Sequence, residues 1–301
     1  MALNNPAFNN PAFQDPRAVQ TYPGGSQAAN FGGQTQYAPP PAATDAQLEG
    51  MYASPSAGAQ QTDRMTVEDS VYKTIGLFAI LLVGAALGWV GTLGGLSAAP
   101  GTPTSVLPMV VGGLVGFVLS LVVIFTSRKK IRPALIFAYA AFEGLFIGGI
   151  SAFFEVQWQG IVLQATLATV SVVGVTLALF ASGKVRASKK ATKIFMIALG
   201  GYLVFSLINI VLMLVGAPIA GGAFGLSSMK IAGIPLGLIL GVLVVIMAAY
   251  SLVLDFDQIQ QGARNGAPRK YGWLGAFGIM VTVVWLYVEI LRMIAIIRGN
   301  N

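Results

Sequence analysis

Seven apolar runs constrain this chain more than any other feature. They lie at about 72–96, 108–127, 133–154, 161–182, 193–215, 233–258 and 272–297, each near the ~20 residues a helix needs to cross a bilayer. Composition agrees. Only 10% of residues are charged and the mean hydropathy is +0.74, whereas a soluble domain carries roughly 25% charged residues. The fold class expected is an all-α integral membrane protein, a seven-transmembrane-helix bundle with a disordered N-terminal tail. The domains are then a tail over 1–63 and a membrane domain over 64–301.

The tail is rich in Asn, Gln, Pro, Ala and Gly, a composition that buries too little apolar surface to offset chain entropy. It repeats a short unit, Asn5 to Phe8 and Asn10 to Phe13, which reads either as low-complexity drift or as a docking peptide. It lacks the basic-then-apolar pattern of a signal peptide. Order is expected to begin at Thr66-Val-Glu-Asp69, a capping-box pattern that opens a helix.

Positive charge alternates between loops. Arg128, Lys129, Lys130 and Arg132 follow span 2; Lys184, Arg186, Lys189 and Lys190 follow span 4; Arg264, Arg269 and Lys270 follow span 6. The other three loops hold only Lys230. The positive-inside rule then puts the N-terminus in the cytoplasm and the C-terminus outside. The net charge of +7 is therefore read as membrane orientation, with the lipid bilayer as partner and no nucleic acid. Glycine pairs Gly84/Gly88, Gly112/Gly116, Gly144/Gly148 and Gly237/Gly241 predict close helix approaches.

The inventory excludes much chemistry. The chain has no cysteine and no histidine, so disulfides, thiolate sites, Ser-His-Asp hydrolysis and His-ligated zinc or haem are out. Span 7 has no lysine for a retinal Schiff base, no phosphate-binding Gly-Lys loop occurs, and the Gly-x-Gly-Asp setting of intramembrane aspartyl proteases is absent. No enzyme activity and no cofactor are expected.

What remains is acidic. A carboxylate inside the hydrocarbon is costly and persists where it faces a bundle interior, a wet cavity or a partner. Asp255 lies toward the basic end of span 6 and Glu289 near the middle of span 7. As a facing pair they would share a proton, with Arg128 latching Asp255 from span 2. Asp257 points elsewhere on the same helix and is expected to reach the interface or pair with Arg264 or Arg269. Arg292 is placed to pair with Glu289 at i,i+3. Glu143, inside span 3, reads either as an interhelical hydrogen bond or as a further ligand of the same cavity. Asn209 in span 5 reads as a packing hydrogen bond.

Seven spans, Leu254-Asp-Phe-Asp-Gln-Ile259 in span 6 and Leu286-Tyr-Val-Glu289 in span 7 resemble the Bax inhibitor-1/YccA (TMBIM) family over roughly 65–298, nearest its actinobacterial-type branch. The resemblance implies a multi-pass protein of the bacterial inner membrane. It also implies a calcium leak gated by pH, with Asp255 and Glu289 as the calcium-binding acids and Arg128 as the latch. Glu289 departs from the aspartate common in the family, the loop from Gln260 to Tyr271 is longer than usual, and Glu143 is an added acid. The leading expectation is a pH-sensitive cation leak channel. The alternative is a non-conducting regulator whose tail engages a membrane-bound AAA protease, as YccA-like members do. A transporter would show inverted repeats or broken helices, and neither is evident.

Overall fold

The computed structural model describes residues 63–95, 104–216 and 224–299. The tail, its duplicated unit and any docking function they have lie outside the described residues, except for Asp63. Seven helices follow: α1 Val67–Thr92, α2 Leu107–Ser127, α3 Pro133–Gln157, α4 Ile161–Ala181, α5 Lys189–Leu214, α6 Leu236–Arg264 and α7 Gly272–Gly299. Each includes a segment long and apolar enough to span a membrane. The chain is a seven-helix membrane bundle.

Helix ends follow local chemistry. Thr66 caps α1 by accepting a hydrogen bond from Asp69 N at 3.1 Å, the first half of the expected box. The second half does not form, because the Asp69 carboxylate turns to Lys73 and Arg269 instead. Ser188 caps α5 by accepting from Ala191 N at 3.2 Å, so that helix starts four residues before the expected span. Glu155, near the end of α3, accepts from Gly160 N at 2.5 Å and Val162 N at 3.0 Å. One carboxylate thus satisfies two amides of the turn into α4.

The expected start of span 6 at 233 is displaced to Leu236. A 3-10 turn (Gly225–Ser228) and a two-stranded hairpin, β1 Lys230–Ile231 and β2 Ile234–Pro235, come first. The hairpin turns at Ala232 and Gly233, both at positive φ (52° and 83°), the geometry that two-residue hairpins favour. Asn209 of α5 holds the 3-10 turn: its Oδ1 accepts from Leu226 N at 2.8 Å and its Nδ2 donates to Phe224 O at 3.3 Å. Its partner is therefore loop backbone rather than another helix.

α7 is the central post. In its most apolar window 56% of residues are buried, against none in α5, so α5 is the peripheral helix. The glycine pairs all mark close approaches. A Cβ on Gly84 of α1 would fall 3.2 Å from Gly144 Cα of α3 and collide with Ala141 O. By contrast a Cβ on Gly200 of α5 would meet nothing within 4 Å. Gly144→Leu should therefore lower stability in detergent by about 1–3 kcal/mol through overpacking. Gly200→Ala should leave it within about 0.5 kcal/mol; thermal unfolding of the two variants checks the contrast.

Candidate functional site

The seam between α6 and α7 carries two buried acids at different depths. Asp255 is 0% exposed and lies nine residues before the end of α6 at Arg264. The Thr282 hydroxyl of α7 donates to Asp255 Oδ2 at 2.7 Å, and Ser251 Oγ lies 3.3 Å from Thr282 Oγ1. Having given its one proton to the carboxylate, Thr282 accepts from Ser251. Three side chains thus form an oriented polar string across the seam. Gln258, one turn beyond Asp255 on the same helix face, has its Oε1 buried without a hydrogen-bond partner among the described residues.

Glu289 is 3% exposed and lies deeper along α7. Seven residues separate it from Thr282, about 10 Å along the axis at ~1.5 Å per residue. It is ion-paired with Arg292, as the i,i+3 spacing predicts, and accepts from Tyr202 Oη of α5 at 3.1 Å. Arg292 also donates to Ser227 Oγ at 3.2 Å. The peripheral helix and the 3-10 turn are both fastened to α7 through this group.

The geometry corrects several expectations. Asp255 and Glu289 do not face one another: the α7 residue that meets Asp255 is Thr282. Arg128 is the C-cap residue of α2 and is exposed, whereas Asp255 is fully buried. Asp257 accepts from Gln261 Nε2 at 2.6 Å rather than from Arg264 or Arg269. Glu143 sits in a separate place, its carboxyl packed beside Gly116 of α2 and hydrogen-bonded to Tyr139 one turn away. Tyr139 packs edge-on against Phe277 of α7, ring centroids 5.0 Å apart. Glu143 therefore sits at the α2–α3 interface, away from the hydrogen-bonded groups around Asp255 and Glu289. Among the described residues no three acids gather as a metal centre would require.

A second charged group was missed entirely. At the basic end, Asp69 binds Lys73 and accepts from Arg269 Nε at 3.0 Å, while Lys73 Nζ donates to Arg269 O at 2.6 Å. Lys73 also lies 5.4 Å over the Trp273 ring. Backbone bonds extend this clasp: Met65 N to Ala267 O at 2.7 Å and Arg269 N to Asp63 O at 2.9 Å. The start of α1 is thereby bound to the α6–α7 loop. The Asp69/Lys73 spacing of four residues was a readable signal; the long-range partner Arg269 left none.

A seven-helix membrane bundle with buried carboxylates on its last two spans defines a class of multi-pass membrane protein. The family model described as Bax inhibitor 1 like matches residues 5–299, and the chain belongs to that family. The match extends into the N-terminal segment, well beyond the 65–298 that the motifs marked out. No curated protein matches the chain.

Removing one member of the Glu289 group should be costly. Arg292→Met leaves a buried carboxylate unpaired and should destabilise the fold by about 3–5 kcal/mol, whereas Tyr202→Phe should cost about 1 kcal/mol. Denaturation of both variants in the same detergent reads the difference.

Proposed function

We propose that this protein is a pH-sensitive leak pathway for a cation, with calcium as the permeant ion, running along the α6–α7 seam. The observation that carries the reading is the oxygen-rich string inside the bundle. It comprises the fully buried Asp255 carboxylate, the Thr282 and Ser251 hydroxyls, and the unsatisfied Gln258 amide oxygen one turn away. Buried unsatisfied acceptors are rare and call for an explanation, and hard cations take carboxylate, carbonyl and hydroxyl oxygens as ligands. Asp255 is the central ligand. Glu289, neutralised by Arg292, is a second station further along the same seam. Protonating Asp255 removes a full negative charge from the string, which supplies the pH response.

The charge alternation of the loops supports a cytoplasmic N-terminus and an external C-terminus, and the family resemblance suggests a bacterial inner-membrane location. A second reading, a non-conducting regulator engaged through the N-terminal segment by a membrane-bound AAA protease, is favoured by the clasp. That contact ties the residues following the segment to the loop between the two site-bearing helices.

Calcium flux into liposomes holding the full chain tests the first reading. Flux should vary from mildly acidic to mildly alkaline pH in the wild type and lose that variation in Asp255→Asn. It should disappear in Asp255→Asn/Glu289→Gln. Flux no greater than that of empty liposomes at every pH would make the acids a structural lock and leave the regulator as the better account.

A further inference from the structure

Between α1 and α4 the bundle is open to the side. A trough of about 570 Å³ runs there, walled by α1 and α4 and floored by Phe256 and Ile259 of α6 and by Ile279 and Val283 of α7. Along α1 it extends from Val67 to Phe78. Those eleven residue steps cover about 17 Å, roughly half the ~30 Å hydrocarbon core and thus one leaflet's depth. Its deep end continues into a second apolar cavity of about 440 Å³ that shares Phe78, Thr169, Val170 and Val283.

The mouth of the trough lies at the basic end and is marked by a cation. Arg186, in the loop after α4, stacks over the Phe180 ring at 4.7 Å and donates from one terminal nitrogen to Gln260 Oε1 at 3.0 Å. Phe180 and Gln260 both line the trough, one from α4 and one from α6, so Arg186 bridges its two sides. It is itself exposed. The neighbouring loop residues Lys184, Lys189 and Lys190 are exposed too, and no acid lies among residues 181–193.

We infer that this trough binds one anionic phospholipid, with an acyl chain between α1 and α4 and its phosphate on Arg186. Three features select that occupant. The walls are apolar and one leaflet long, which fits an acyl chain. The single polar end carries a guanidinium whose fork matches a phosphate. The flanking lysines disfavour a cationic peptide and favour negative headgroups. Because the floor includes the residues next to Asp255 and Thr282, the lipid would lie directly behind the α6–α7 seam. The inference stands apart from the leak reading, and its test involves no flux.

Gly174 of α4 lines the trough, and a Cβ built there meets nothing within 4 Å. Gly174→Phe therefore starts from open space at Cβ and projects its ring into the trough. The full-length protein in detergent is titrated with phosphatidylglycerol or phosphatidylcholine of identical acyl chains, and retained lipid is counted by native mass spectrometry. Wild type should retain one phosphatidylglycerol in preference to phosphatidylcholine. Arg186→Gln should reduce that preference about fivefold, and Gly174→Phe should abolish retention of that single lipid. Equal retention of the two lipids by wild type would overturn the proposal. So would a Gly174→Phe protein, with wild-type thermal stability, that still holds its phosphatidylglycerol.

Discussion

Everything in this bundle is arranged around the cost of holding carboxylates in hydrocarbon. An ionised side chain in a spanning segment must be covered by protein and given donors. Glu289 takes Arg292 from its own helix, Tyr202 from α5 and, through Arg292, Ser227 from the loop before α6. Asp255 takes Thr282 across the seam. Both acids therefore require α7 to be enclosed, and α7 is the most buried of the spans. The bundle is built outward from the helix that has the most to hide.

Small residues make that enclosure compact. α1, α2 and α3 pack backbone against backbone at Gly84, Gly112 and Gly144, where a methyl group would strike a neighbouring main chain. The three helices form a tight slab on one side of α7. On the other side α5 touches the rest of the bundle through few buried residues, Thr192 and Phe195, and through polar fastenings at Tyr202 and Asn209. Inside a membrane apolar burial alone does not drive helices together, and association rests on close packing and interhelical hydrogen bonds, so these bonds matter more to the position of α5 than its many lipid-facing aliphatic side chains.

Hydropathy, length and loop charge made the seven helices legible, because a spanning helix must be long, apolar and continuous regardless of its neighbours. The Arg292–Glu289 pair was legible for the same reason: it lies within one helix, and helix geometry alone fixes it. Contacts between helices were not. Whether Asp255 meets Glu289 or Thr282 depends on the relative slide of α6 and α7, and a shift of two turns changes the answer while leaving every residue pattern unchanged. Nor does depth alone fix which helix face carries Arg128, which is exposed at the end of α2. The clasp was hidden because it joins residues 200 positions apart, and the longer α6–α7 loop gave no sign that its role is to receive the start of α1.

The slide between α6 and α7 also changes the kind of switch this seam can be. Two carboxylates in contact titrate as one coupled unit, since ionising the first opposes ionising the second. Asp255 and Glu289 are separated by about two helical turns along α7, and Glu289 already has a guanidinium beside it. Their charges are therefore felt mainly by different neighbours. Asp255 has Thr282 beside it and Ser251 behind that, while Glu289 has Arg292 and Tyr202. A proton arriving at Asp255 alters the polar string across the seam and leaves the fastening of α5 in place. A change at Glu289 loosens α5 and the 3-10 turn and leaves the string intact. On the proposed leak reading the two acids would then be separate controls on one pair of helices, one at the lining of the seam and the other at the fastening of α5 and the 3-10 turn.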